Sequence, residues 1–326
     1  MKVQPIYVKV KKKNKNDLLL YMQQFVDALI KKGAIPAYGK NRKLVRLFLC
    51  KLARIIPIFK YSTQKIIIAS RGADILSDSW PYWGKEIIPM LWDSWPVYHD
   101  KLFYYLKKLK CKTVFVTTRS IADKINTELG ITAYWIPEGI DITCFKNTRK
   151  LKDRDIDVYE LGRQHSTFHS MIIRQATTIN YLGNIYHNDG TIDYAFPSTE
   201  SFYNQLDNIK IVVNFPRHDT APVSSPVEET LTQRYWECML SGCIMVGRAP
   251  QELIDLIGYD PVINVDMTSP ALWDGSWIKQ LIAEADNYQD LADRNFQAAL
   301  SYASWDNRAT QIMNIIKNNH ENAKTN

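Results

Sequence analysis

An α/β chain of two domains, each a parallel sheet with helical crossovers, is the architecture this sequence predicts. Short runs rich in Ile and Val alternate with amphipathic segments along the whole chain, as expected of strands buried on both faces with helices between them. A length of 326 residues suits two domains of ordinary size. A polar stretch from Lys146 to Asp155 separates the two halves, which sets the domains at 1–148 and 149–326, the last helix being able to pack back on the first domain.

Val3 to Val10 reads as the first strand, and Asp17 to Lys32 as an amphipathic helix ended by Gly33. The basic, apolar stretch from Lys40 to Lys60 reads as helical. Lys65 to Ser70, Ile87 to Trp92 and Thr113 to Thr117 are expected strands, the last entering a helix from Ser120 to Leu129. Pro137 and Gly139 then make a tight turn where the chain leaves the last strand of this half. Ile156 to Leu161 opens the second half, running into the turn Gly162-Arg163 and a helix. Strands are expected from Ile209 to Phe215 and from Val262 to Val265, and helices from Trp277 to Asp286 and from Tyr288 to Ser301.

The segment Glu229-Thr-Leu-Thr-Gln-Arg234-Tyr-Trp-Glu237-Cys-Met-Leu-Ser-Gly242 reads as a loop, a helix and a turn before the buried strand Cys243 to Val246. Thr230 or Thr232 can cap the helix, Trp236, Met239 and Leu240 face the core, and Gly242 ends it. Glu237 then lies about a turn inside the helix, while Glu229 stays in the loop ahead of it. Both carboxylates can face one crevice beside a helix N-terminus suited to phosphate.

Charge is uneven. Residues 1–65 hold 16 Lys or Arg against two acids, Asp17 and Asp27, whereas the remainder holds 25 basic and 32 acidic residues. Such a basic half implies an anionic partner, and Arg42, Lys43, Arg46 and Lys51 are the candidate contacts for an anionic ligand or a membrane surface. A solvated helix face explains the same charges, and nucleic acid stays open as a lesser partner. No run reaches the roughly 18 apolar residues of a membrane span. The five cysteines, without Cys-x-x-Cys spacing, read as reduced core residues, and no signal-peptide pattern opens the chain. The expected location is therefore cytoplasmic, with peripheral attachment at the inner membrane face open. Neither the six histidines nor Asp153-Arg-Asp155-Ile-Asp157, set in a polar linker, suggests a metal, and no Gly-x-Gly-x-x-Gly supports a dinucleotide cofactor.

The Glu-x7-Glu spacing of Glu229 and Glu237 resembles the nucleotide-sugar site of GT-B glycosyltransferases, family four in particular. Thr232-x-Arg234-x-Trp236-Glu237 is similar to the pattern of exostosin-type and phage DNA glucosyltransferases. Trp135-Ile-Pro137-Glu-Gly139-Ile-Asp141-Ile-Thr-Cys-Phe145 resembles the string that closes the N-terminal domain in these enzymes. The resemblance implies a GT-B fold, two Rossmann-like domains facing a central cleft, with acceptor binding in the first and a nucleotide sugar in the second. It implies that Glu237 holds the donor ribose, that Glu229 lies beside the transferred sugar, and that Gly162, Arg163, Thr232 and Arg234 bind the nucleotide sugar, the two arginines at its diphosphate. Retaining relatives have a His-Asp pair after a middle strand and a Lys after the Gly-Arg turn. Here Trp92-Asp93 stands at the first place, His99-Asp100 follows further on, and His165 or His169 replaces the Lys. Asp93 is the base candidate of an inverting enzyme and an acceptor contact in a retaining one. The expected function is metal-independent transfer, with retention favoured, from a nucleotide-diphosphate sugar to a glycan, lipid-linked or other anionic acceptor, and with no cofactor. An inverting enzyme acting on nucleic acid, a sugar-nucleotide epimerase and an idle sugar-nucleotide-binding scaffold are the alternatives.

Overall fold

A computed structural model describes residues 5–10, 20–39, 42–187, 191–220, 229–265 and 268–325. The chain forms two compact units, Met1–Gly139 with Trp305–Asn326, and Ile140–Ser304.

The first unit holds a parallel six-stranded sheet in the order β2-β1-β3-β4-β5-β6. Its elements are β1 (Ile6–Val10), α1 (Leu20–Lys31), β2 (Ile35–Tyr38), α2 (Lys43–Ala53), β3 (Lys65–Arg71), α3 (Ile75–Asp78), β4 (Glu86–Trp92), α4 (His99–Lys108), β5 (Thr113–Val116), α5 (Arg119–Leu129) and β6 (Thr132–Trp135). Continuous apolar runs serve both faces, because successive side chains point opposite ways. Ile66, Ile68, Ile87 and Leu91 join a core with Leu102 and Ile121. Ile67, Ala69, Ile88, Met90 and Trp92 join another with Phe25, Leu29 and the terminal helix residues Trp305, Ile312 and Ile316. The terminal helix, Trp305–Thr325, thus supplies apolar cover to this sheet.

The second unit holds a parallel five-stranded sheet in the order β13-β12-β11-β7-β8 and a small hairpin, β9-β10. It runs β7 (Ile156–Glu160), α6 (Ser166–Ile173), β8 (Tyr181–Gly183), β9 (Ile185–Tyr186), β10 (Ile192–Asp193), α7 (Thr199–Leu206), β11 (Ile209–Asn214), α8 (Arg217–Thr220), α9 (Gln233–Leu240), β12 (Ile244–Gly247), α10 (Gln251–Ile257), β13 (Val262–Asn264), α11 (Ser276–Ala283) and α12 (Gln289–Tyr302). From β7 the chain goes to β8 on one side and later to β11 on the other. That reversal opens a crevice at the carboxyl ends of β7 and β11, where open α/β sheets bind ligands.

Residues 140–148 go with the second unit rather than the first. Their hydrogen bonds explain it: Ile140 N donates to Ala303 O, and Thr148 donates from N and Oγ1 to Asp207. The expected first strand is described over Ile6–Val10 and the expected first helix over Leu20–Lys31; the parts of those expectations that fall on residues 1–4 and 11–19 lie outside the described residues.

Candidate functional site

The carboxyl end of β7 leads through Leu161 to Gly162, whose φ of +79° suits glycine. A Cβ there would collide with the guanidinium of Arg234, so the bare backbone of Gly162 is what lets Arg234 lie over it. Arg163 is exposed on the same turn.

Arg234 belongs to the first turn of α9. Thr232 takes the N-cap position, but its hydroxyl makes no capping bond, and Thr230 is buried two residues ahead. Glu237 follows Arg234 by three residues, on the same side of the helix. Its side chain keeps some exposure, yet crowding pushes its carboxyl up to about 7, with burial the larger cause and Arg234 opposing it. Tyr159 of β7 is pushed up as well, by burial first and then by Glu237, which places its phenol in that carboxylate's field. Gly162, Tyr159, Arg234 and Glu237 therefore form one cluster at the crevice.

Glu229 has a different set of partners. Its Oε1 lies 2.5 Å from Nη1 of Arg248, and its Oε2 accepts from Gln251 N at 3.2 Å. Arg248 also donates Nε and Nη2 to Asp219 at 2.7 and 2.9 Å, a bidentate pair that fixes the turn after β12. Arg248, Asp219 and Glu252, which accepts from Leu231 N, escaped sequence reading because nothing in their spacing marks them. The signal that could have found Arg248 is its place next to Gly247, at a strand end like that of Gly162-Arg163.

A second carboxylate also lies at the end of β7. Glu160 is buried, its Oε2 accepting from Tyr181 Oη at 2.7 Å and standing 2.5 Å from His169 Nδ1. His165, by contrast, stacks on Phe215 and caps α6 through its Nδ1. The two histidines expected where relatives have a Lys thus sit in separate settings.

In the first unit, Asp93 follows β4 with φ +48°, unusual for a residue other than glycine and typical of functional strand ends. Gly72 makes this possible, because a Cβ on it would press on Asp93 O at 2.9 Å. Asp93, Glu138 and Arg71 all act on the phenol of Tyr21, which burial, then the two carboxylates, push up. Tyr21, Arg71 and Glu138 were not foreseen.

Other expectations need correction. Trp92, which stands where retaining relatives have a His, is buried among Tyr21, Phe25 and Trp305. Arg46 is half-buried with Nε sealed from solvent, while Arg42, Lys43 and Lys51 are exposed, because the helical repeat turns position 46 inward. Cys144 is exposed rather than in the core, since it ends a short turn begun by Asp141, although all five cysteines are free. Among the described residues no cluster of three metal-binding side chains occurs, and no helix is long and apolar enough to cross a membrane.

No protein-family model and no curated protein matches this sequence. Solved structures do share its fold. Sucrose-phosphate synthase from Thermosynechococcus elongatus aligns with a TM-score of 0.58 at 13% identity, over 98% of this chain and 99% of that one. HepE of Anabaena, in complex with UDP and glucose, gives 0.58 at 10% identity over 97% and 100%. AviGT4, a glycosyltransferase involved in avilamycin A biosynthesis, gives 0.51 at 10% over 96% of each. These proteins define the class: the fold is GT-B, with two Rossmann-like domains.

Proposed function

We propose that this protein is a glycosyltransferase that moves a sugar from a nucleotide-diphosphate donor to a glycan, lipid-linked or other anionic acceptor. The observation that carries the reading is Glu237 beside Arg234, with Arg234 laid over Gly162, at the crevice where the sheet of the second unit reverses. A carboxylate suits vicinal ribose hydroxyls, which donate to it. Arg234, Arg163 and the N-terminus of α9 offer positive charge to a diphosphate as leaving-group charge develops. Glu229, held by Arg248, orients the transferred sugar. HepE was crystallised with UDP and glucose, which agrees with such a donor.

Transfer proceeds with retention, as the spacing of Glu229 and Glu237 suggests, and Asp93 is then an acceptor contact. The anomeric configuration of the product, read by NMR, tests this, and an inverted product would make Asp93 the base.

Thermal unfolding with UDP, GDP and ADP tests the donor site directly. A nucleotide at a hundredfold excess over its Kd should stabilise the fold by about 2.7 kcal/mol. No shift with any of the three would remove the reading. A shift accompanied by rearrangement of the donor sugar without any acceptor would indicate an epimerase, and a shift with no turnover an idle scaffold.

In this reading Arg163, Arg234 and the N-terminus of α9 do at the diphosphate what a cation would otherwise do. Transfer should therefore survive EDTA. Loss on chelation, restored by Mn or Mg ions, would overturn metal independence.

A further inference from the structure

A solvated amphipathic helix turns only polar residues outward, whereas α2 turns large apolar ones outward as well. Leu44 is 82% exposed and Phe48 65%, with Leu47 beside them and Ile55, 82% exposed, just past the helix end. Positions 44, 48 and 51 share one face by the helical repeat, with 47 on its flank. Lys43, Lys51 and Arg54 are exposed around these apolar side chains, and Arg42 precedes the helix. From residue 28 to residue 73 the chain contains no Asp or Glu. On its other flank the helix borders an apolar pocket of about 390 Å3 lined by Leu49, Leu52, Ile56, Phe59, Trp80 and Trp83.

We infer that the outward face of α2 docks this protein on an anionic lipid bilayer, with Leu44, Leu47, Phe48 and Ile55 entering the headgroup boundary and Arg42, Lys43, Lys51 and Arg54 meeting lipid phosphates. Two features select this occupant. Large apolar residues ringed by cations match the interface of an anionic bilayer, which is apolar below and negative above. A nucleic acid would use the cations but has no place for outward Leu and Phe. This surface is independent of the transferase reading, because no residue of the proposed donor site belongs to it.

Co-sedimentation with phosphatidylcholine vesicles, with and without phosphatidylglycerol, tests the inference on the full chain. The protein should pellet with the anionic vesicles and much less with the neutral ones, and binding should weaken as salt rises. The pair Leu44→Gln and Phe48→Gln leaves the charge unchanged and should lower partitioning at least about tenfold. Changing Lys43, Lys51 and Arg54 to Gln should remove most of the salt dependence, at roughly fivefold per charge. Circular dichroism should be native in both variants, since every changed side chain is exposed. Equal pelleting with both vesicle types, or anionic binding untouched by the apolar pair, would overturn the inference. So would retention on duplex DNA without vesicle binding. A concentration-dependent dimer abolished by the apolar pair, with no vesicle binding, would instead assign the face to a second copy of the chain.

Discussion

Replacing Glu237 by Ala should weaken binding of the nucleotide-sugar donor by on the order of 2–4 kcal/mol, roughly 30- to 1000-fold in Kd, with the fold retained. The carboxylate sits in a crowded cluster with Tyr159 and Arg234, so a substrate hydroxyl bound to it is not competing with bulk water alone. Removing it loses those hydrogen bonds and leaves Arg234 without its neighbouring carboxylate. Calorimetric titration with the nucleotide found by thermal shift measures the effect, and an unchanged Kd in a folded variant would take Glu237 out of the site.

The pH dependence follows from the same group. Its carboxyl is pushed up to about 7 from an ordinary 4.5, so the folded protein holds this proton more tightly than the unfolded chain. Without ligand, its contribution to stability is present below about 4.5, declines as pH rises to about 7, and is flat above. Donor binding should run the other way. Ribose hydroxyls donate to the ionised carboxylate, so affinity should rise with pH up to about 7 and then level off. Glu237→Gln carries no proton to lose in this range and should flatten that part of the profile, separating it from titration of the nucleotide phosphates. Affinity that falls as pH rises through 7 would mean that the protonated acid is the binding form.

Strands covered on both faces were the legible part of this fold. Lys65–Arg71 and Ile209–Asn214 carry the apolar runs Ile66 to Ala69 and Ile211 to Val213, and no amphipathic helix would bury consecutive residues in that way. The short strands β2 and β8 were harder to read. Ile35–Tyr38 contains Pro36 and survives as a strand only because β2 is a sheet edge. Tyr181–Gly183 is likewise an edge and stays partly exposed. In the candidate site, Gly162, Arg234 and Glu237 could be chosen through the resemblance of their local motifs to those of GT-B glycosyltransferases, since a turn and one helix hold each motif together. The Arg248 pairing with Asp219 and Glu229 depends on chain brought together across helix α9 and strand β12, which local pattern does not encode. Nor does residue type announce the positive φ of Asp93, which is imposed by the turn at Gly72 packed against it.

Arg154→Leu should destabilise the second unit by about 3–5 kcal/mol while leaving donor affinity unchanged. In sequence Arg154 lies in a charged stretch that reads as solvated linker, yet its side chain is fully buried. Its guanidinium donates to Ile209 O at 2.8 Å, to Arg149 O at 3.1 and 3.3 Å, and to Asn147 Oδ1 at 3.1 Å, with Asp207 3.9 Å away. These partners tie the entry of β7 to the start of β11, at the end of the sheet opposite the crevice. Leucine fills part of the volume but leaves buried carbonyls unpaired and Asp207 without its cation, although Thr148 still donates to that carboxylate. At roughly 2–4 °C per kcal/mol for a unit of this size, the transition should move down by about 6–20 °C. Calorimetric unfolding of the whole chain reads that shift, and nucleotide titration well below the transition reads the site. A loss of less than about 1 kcal/mol would show that the cluster relaxes around the change. A native transition with weakened donor binding would place Arg154 in the donor machinery instead of beneath it.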